Sequence, residues 1–442
     1  MAFDRSRKLA VDALMEVEKS AYSNIALNRF LSRADSSVDA QFVTRLFYGT
    51  IERKKTLDYM ISVFAGRRPE KIDLDVLCIL RAGAYQLKYM DSVPDYAAID
   101  SSVELCRAYR KKSAKGFVNA ILRRISGYDI NSANFASEAD RVCTVYSVNR
   151  DIADVLMRDH PDSYESILSS LFQTPRFTVV INTTKVSVDD YLKALTENGI
   201  SYGRTEIDNC IEIELKGAVT SLPGYREGHF FVQGVPSRFV TELTGAKAGD
   251  RVVDLCAAPG GKSFSTYIRM EGKGTVISCD PNPSRLKVLR NSRERLGLDG
   301  IETVVNSGEV YNEKLEGRDI VICDVPCSGI GTISKKPDLR YKDLSDIDGL
   351  CRLQLDILRT GAGYLKDGGV LVYSTCTIND RENRDVVRKF LAENCSFSLV
   401  KPEKVPANGT VEDSMVTFLP DEGYTDGFFA AAMRKKAAEP RI

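Results

Sequence analysis

Arg251-Val-Val-Asp-Leu-Cys-Ala-Ala-Pro-Gly-Gly-Lys262-Ser263 is the stretch whose reading decides the fold. A short β-branched run ends on an acid, two glycines follow, and a helical pattern starts at about Lys262, which together make a strand, a tight turn and a helix. The alternation then continues. Thr275-Val-Ile-Ser-Cys-Asp280 reads as a strand, Arg285–Leu296 as a helix, Glu302-Thr-Val-Val as a strand and Ile320-Val-Ile-Cys-Asp324 as another. Leu344–Leu365 is a long helix, Gly369-Val-Leu-Val-Tyr-Ser a strand and Glu382–Glu393 a helix. Strands separated by helices pair in parallel, so a doubly wound α/β sheet is expected, with Gly427-Phe-Phe-Ala-Ala-Ala-Met as its closing edge strand.

Upstream the period changes twice. From Arg5 to about Tyr128 apolar residues recur at helical spacing, as in Val76, Leu77, Leu80, Ala84 and Leu87, which predicts an all-helical domain. Within it Pro94 stops one helix and Asp95 is placed to cap the next. Helical character persists through Asp151–Phe172. Then Phe177-Thr-Val-Val-Ile-Asn reads as a strand, Val188–Asn198 as a helix and Cys210-Ile-Glu-Ile-Glu-Leu as a second strand, a small α/β insert. Four parts result: a helical domain over 1–130, a helical linker over 131–170, a small α/β subdomain over 171–235 and an α/β domain over 236–442.

Composition narrows the function. No run approaches the ~18 apolar residues of a membrane span and no secretory leader is visible at the front, so a soluble, cytoplasmic protein is expected. The 11 cysteines are odd in number and contain no Cys-x-x-Cys pair, which suits reduced thiols rather than a disulfide framework or a zinc site, so no metal is expected. Neither histidine, His160 or His229, lies beside a nucleophile motif. The net charge is zero, yet residues 1–130 carry 22 Lys/Arg against 16 Asp/Glu and the remainder 39 against 45. Arg107, Arg110, Lys111, Lys112 and Lys115, followed by Arg123 and Arg124, have the density to track a phosphate backbone, although a solvated helix face is the commoner meaning of such a run.

Chemistry gathers around the glycines. They admit a close backbone approach, and Asp280, 20 residues beyond Gly260, stands where an acid accepts hydrogen bonds from a ribose diol, which implies an adenosine cofactor unless this is a plain strand–turn–helix corner. A phosphate-binding loop is the rival, but Cys256 occupies its first glycine position and Pro259 lacks an amide. Asp324-Val-Pro-Cys327-Ser and Tyr373-Ser-Thr-Cys376-Thr sit at the ends of later strands of the same sheet, so two thiols should converge on the cofactor. Group transfer with covalent help follows. The other cysteines, Cys256, Cys279, Cys323 and Cys351 among them, read as packing residues.

Asp254-Leu-Cys-Ala-Ala-Pro-Gly-Gly-Lys262, Asp324-Val-Pro-Cys-Ser-Gly and Ser374-Thr-Cys376, in this order and spacing, resemble the RNA cytosine-5 methyltransferases over roughly residues 170–436. Phe42-Val-Thr-Arg-Leu-Phe-Tyr-Gly-Thr and Phe117-Val-Asn-Ala-Ile-Leu-Arg-Arg are similar to the antitermination factor NusB. The fusion looks like the bacterial 16S ribosomal RNA methyltransferase B subfamily, also called Sun or Fmu. That resemblance implies an all-α NusB-like domain, a substrate-binding insert and a Rossmann-like methyltransferase domain, with S-adenosyl-L-methionine as cofactor. It further implies a monomer acting on 16S rRNA, at cytosine 967; a tRNA target, or a binding factor with a non-catalytic cofactor domain, stays open.

Residue roles follow from the same resemblance. C5 of cytosine is too electron-poor to attack a sulfonium methyl until a nucleophile adds at C6, and cysteine is the side chain best suited to that addition. Cys376 is then the nucleophile, Cys327 assists release, and Asp324 hydrogen-bonds the cytosine ring edge, stabilises the adduct and also belongs to the cofactor-binding set. Cys256, Ala257, Ala258, Pro259, Gly260, Gly261 and Lys262 form the cofactor loop, with Asp280 as the ribose acid. Asn306 stands near the adenine where the family usually has an acid, and Gly234 after Gln233 where it often has Asp. Lys336-Pro337-Asp338 lies beside the substrate channel. Arg107, Arg110, Lys111, Lys112 and Lys336 are the expected RNA contacts.

Overall fold

The computed structural model describes residues 4–19, 22–174, 176–215, 217–420 and 425–437. The chain forms two compact units. One runs to His160 and also takes in Lys336–Asp343; the other comprises Pro161–Lys335 and the chain from Leu344 onward.

The first unit is helical: α1 Arg5–Val17, α2 Ser23–Leu31, α3 Ala40–Glu52, α4 Lys54–Ala65, α5 Leu74–Tyr89, α6 Asp95–Ala108, α7 Lys115–Ser126, α8 Glu138–Val145 and α9 Arg150–Asp159. Asp4 and Asp39 cap α1 and α3 by accepting backbone amides of their first turns. Helix α5 is the central one, buried from Val76 to Gln86. Its Arg81 tolerates burial because Asp58 accepts from Nε and Nη2 at 2.6 and 2.8 Å and Glu18 pairs with Nη1 at 3.3 Å. One local expectation fails: Pro94, not Asp95, occupies the cap position of α6, and the Asp95 carboxylate instead accepts from Ser126 Oγ. Pro94 has no side-chain acceptor, so that helix end carries no side-chain cap.

Residues 336–343 complete this unit from a distant part of the chain. Arg340 is fully buried and donates to Tyr146 O at 3.0 Å, while its own carbonyl accepts from Asn149 N at 2.8 Å. Burial pushes the Arg340 guanidinium down, to about 10. The Tyr341 hydroxyl donates to Ile51 O at 2.6 Å and bonds Ser147 Oγ at 2.8 Å, and Ser23 Oγ donates to Asp338 Oδ2 at 2.5 Å.

The second unit begins with α10 Tyr164–Ser170 and a small four-stranded antiparallel sheet, in the order β2-β3-β1-β4. Its strands are β1 Thr178–Ile181, β2 Tyr202–Arg204, β3 Cys210–Ile213 and β4 Phe230–Val232, covered by α11 Val188–Glu197 through Tyr191, Leu192 and Leu195. The three-residue strands β2 and β4 carry no alternation long enough to read from sequence.

The large sheet follows α12 Val235–Thr244. Its elements are β5 Arg251–Asp254, α13 Gly261–Arg269, β6 Thr275–Cys279, α14 Pro283–Leu296, β7 Ile301–Val304, β8 Arg318–Asp324, α15 Ile347–Tyr364, β9 Leu365–Thr375, α16 Arg384–Glu393, β10 Phe397–Leu399, β11 Gly409–Glu412, β12 Met415–Phe418 and β13 Phe428–Lys435. The order is β11-β12-β13-β9-β8-β5-β6-β7, with β10 also on β13. Strands β9 to β7 are parallel as expected, but β10 to β13 are antiparallel, which makes the sheet mixed. The expected edge strand is an interior one: β13 lies between β9 and β12, and Phe428 to Met433 are all buried. An unbroken apolar run suits a strand covered on both faces, not an edge. The true edge, β11, turns into β12 through Asp413 and Ser414, both at positive φ, a two-residue hairpin turn whose residues do not announce it as Asn-Gly would.

Tyr341→Phe deletes one hydroxyl but leaves Ile51 O and Ser147 Oγ in place. It should cost the helical unit about 1–3 kcal/mol, read as faster amide hydrogen exchange in α3 and α8 with β8 and β9 unaffected.

Candidate active site

The site stands where the order of the large sheet reverses. The chain runs outward from β5 through β6 to β7, then returns to place β8 on the other side of β5, and ligands of such sheets bind in the crevice at the carboxyl ends where this switch occurs. Register does the rest. Asp254 pairs with Ile322 across β5 and β8, and Asp324 with Ser374 across β8 and β9, so the segments after these three strands emerge side by side.

The segment after β5 is the glycine loop. A cis peptide joins Ala258 to Pro259, and Gly260 adopts φ 113°, where a side chain would be strained and would also strike Phe264 and Leu289. Gly260 is the N-cap of α13, and no side chain caps that end. Cys256 faces Gly308, whose added Cβ would lie 3.3 Å from its sulfur, and burial with nearby acids pushes its thiol well above the ordinary range, so it packs rather than reacts. Lys262 reaches out of the loop: its Nζ pairs with Asp324 Oδ2 at 2.8 Å, donates to Ser237 Oγ at 3.0 Å and lies 5.0 Å from the Phe428 ring centroid. With Ser374 Oγ donating to Oδ1 at 2.7 Å, both Asp324 oxygens are held.

Two further acids end β5 and β6. Asp254 is fully buried; Ser263 Oγ donates to its Oδ2 at 2.8 Å, and its Oδ1 has no hydrogen-bond partner among the described residues. Burial raises this carboxyl to about 7. Asp280 accepts from Asn282 N at 2.9 Å and pairs with Arg285 at 3.0 Å, while Arg285 also donates to Ala258 O at 2.6 Å, so the acid is tied to the glycine loop. Each Asp280 oxygen keeps acceptor capacity for a diol. An uncapped helix end, an orphaned buried carboxylate oxygen and a second acid along one strand edge fit an adenosine cofactor bearing a cationic group. Asn306 is more occupied: its amide donates to Ser307 O and Val310 O at 2.7 and 2.9 Å, within its own loop.

Cys327 and Cys376 meet. Their sulfurs are 3.3 Å apart, and both residues are half-buried. The Cys327 thiol is held well above its ordinary pKa, first by its hydrogen bond with Cys376, then by burial and by the charge of Glu382. Sequence reading did not find Glu382, Ser374, Ser237 or Asp254 as site residues. Glu382 hides in the polar run Asn379-Asp-Arg-Glu-Asn-Arg384, which looks like a solvated helix start.

Gly234 begins α12, and a Cβ there would lie 3.4 Å from Asp426 Oδ2, so an acid from another segment adjoins the position. A cavity of about 680 Å³ lined by Arg238, Glu242 and Arg269 shares no residue with the glycine loop or the two thiols. In the helical unit, Arg107, Arg110, Lys111 and Lys112 cluster around the end of α6. Lys111 pairs with Asp73 at 2.5 Å and Arg107 with Glu104 at 3.6 Å; Arg107, Arg110 and Lys112 are exposed. Asp73 comes from a loop 38 residues upstream, which a count along the basic run misses. Lys336 is exposed at the start of the segment that joins the helical unit.

Three family models match: "NusB family" over residues 4–127, "Methyltr_RsmF/B-like, ferredoxin-like domain" over 152–220 and "16S rRNA methyltransferase RsmB/F" over 242–434. The chain is 33% identical to the "Probable ribosomal RNA small subunit methyltransferase B" of Bacillus subtilis (strain 168), over 97% of this chain and 98% of that one. It is 28% identical to the ribosomal RNA small subunit methyltransferase B of Escherichia coli O1:K1 / APEC, with the same coverage. The crystal structure of PH0851 shares the fold, with a TM-score of 0.81, 24% identity and coverage of 98% of this chain and 99% of that chain.

Asp254 gives the site a pH signature. Its carboxyl is raised from 3.8 to about 7 on folding, so the stability it contributes is fully present below about pH 4 and is lost as pH rises through 7. Relative to Asp254→Asn, the unaltered protein should lose on the order of 4 kcal/mol between pH 4 and 7.5, read as urea midpoints in the two buffers. Parallel midpoints would show that the carboxyl is already ionised when folded.

Proposed function

The chain belongs to the RsmB/F 16S rRNA methyltransferases with a NusB N-terminal domain, and from that premise we propose that it methylates C5 of cytosine 967 through a covalent cysteine adduct. The observation that carries this reading is the 3.3 Å between Cys327 and Cys376 Sγ beside the Lys262–Asp324 pair.

S-adenosyl-L-methionine, when bound, supplies an electrophilic methyl carbon. The loop Cys256–Lys262, Asp254, Asp280 and, at the rim, Asn306 hold it. Lys262 and Ser374 fix the Asp324 carboxylate so that one face accepts from the cytosine edge. The Cys376 thiolate forms a bond to C6, and the C5–C6 π pair moves onto C5, which then accepts the methyl. Loss of the C5 proton lets the C6–S bond break, restoring the double bond and the thiolate. Cys327 suits the proton step. Its partner's hydrogen bond is the largest influence keeping it protonated, and that influence ends once Cys376 is a thioether, so the thiol ionises more readily when a base is needed.

A base inside an RNA helix cannot reach these thiols, so the target is unpaired or flipped out. Cys327→Ala should accumulate a detergent-stable protein–RNA adduct, while Cys376→Ala and the double variant form none and transfer no methyl. An adduct in Cys376→Ala would reverse the two roles. Mass mapping of 5-methylcytosine in rRNA from a strain lacking the gene tests the position, and unchanged methylation at 967 would overturn it.

The exposed Arg110 and Lys112 are proposed to meet RNA phosphates, with Arg107 and Lys111 beside them, and Lys336 is proposed as a further RNA contact. Arg110→Ser/Lys112→Ser should flatten the slope of log affinity against log salt by about 1–2. An unchanged slope assigns these side chains to solvent.

A further inference from the structure

Glu382 is fully buried six residues after Cys376, and no cation pairs with it among the described residues. A bare carboxylate in such a place must be satisfied by neutral donors, and it is. Ser328 N donates to Oε2 at 2.7 Å, Ser328 Oγ donates to Oε1, Asn379 Nδ2 donates to Oε1 at 3.0 Å and Gln354 Nε2 donates to Oε2 at 3.1 Å.

Those partners are specific to the two thiol-bearing loops. Ser328 follows Cys327 directly, and its hydroxyl bonds Thr377 Oγ1, in the residue directly after Cys376, at 2.7 Å. Gln354 holds the same loop from the other side by donating to Pro326 O at 2.9 Å. The Glu382 backbone is fixed in turn by Tyr373, whose hydroxyl donates to its carbonyl. Ser328, Thr377, Gln354 and Asn379 are each at most 1% exposed, so the arrangement has no water to relax into.

We propose that Glu382 is a positioning residue for the two-thiol chemistry: its carboxylate clamps the residues following Cys327 and Cys376 to each other and so sets the distance between the sulfurs. This rests on the methyltransferase reading for its purpose, but the clamp itself has a readout that needs no RNA. Diamide takes two electrons and two protons from adjacent thiols and leaves a disulfide, at a rate governed by how closely the sulfurs are held. In the full chain, Cys327–Cys376 disulfide formation, mapped by mass spectrometry, should slow at least about tenfold in Glu382→Ala, and turnover should fall about 100-fold. The KM for RNA and the affinity for S-adenosylmethionine should stay within about twofold, since the clamp touches neither the glycine loop nor Asp280. Glu382→Gln, which keeps the length and one acceptor oxygen, should recover part of both rates.

A folded Glu382→Ala protein with unchanged disulfide formation and turnover overturns the proposal. So does a parallel loss of cofactor affinity, the mark of general damage. Should the alanine variant fail to fold, Glu382→Gln decides: rates equal to those of the unaltered protein overturn the clamp. Slower disulfide formation in the variants of a protein that transfers no methyl to RNA would leave the clamp standing and remove the methyltransferase reading instead.

Discussion

Everything at the site depends on the parallel register of β8 against its two neighbours. With Ile322 opposite Asp254 and Asp324 opposite Ser374, β5 ends two residues short of β8, and the segments leaving the three strands emerge alongside one another. Lys262 can then reach from the first loop to the acid that ends the second strand, and the third loop brings a sulfur to the second. A slip of one residue in β8 would turn Asp324 to the other face of the sheet and Cys323, now buried, toward the crevice.

Sequence reading reached this site because its signals are local. Glycine and proline spacing after a strand, acids at strand ends and two cysteines behind two later strands are each legible within a dozen residues, and topology needs only to bring the strand ends together. Asp254 reads as the end of a strand, but its burial is not visible in the sequence, because burial of a carboxylate depends on what the rest of the sheet covers. Glu382 was missed for a related reason. A Glu among Asp, Arg and Asn has the look of a solvated surface, and only its donors, drawn from Ser328, Gln354 and Asn379, show otherwise. The strands β2, β4 and the β11–β12 hairpin escaped because they are three or four residues long, with their pairing partners carrying the information.

Charge illustrates the opposite limit. The basic run from Arg107 to Lys115 is conspicuous along the chain, but Asp73 and Glu104 fold back onto Lys111, Arg107 and Lys115, so the charge that faces solvent is less than the count suggests. Exposure, not sequence density, decides which cations can exchange their counterions for phosphates.

The eight residues from Lys336 to Asp343 make the two units inseparable by any single cut. The peptide chain passes between them after His160, after Lys335 and after Asp343. A fragment ending at His160 lacks the Arg340 and Tyr341 side chains that fill its own interior, and a fragment starting at Pro161 carries both with their partners removed. Viewed as gene architecture, the helical part is not a detachable module joined by a tether but an interleaved one. The packing of the helical unit is therefore set partly by residues between β8 and α15, and a substitution at Arg340 or Tyr341 acts on that unit from within the methyltransferase part of the sequence.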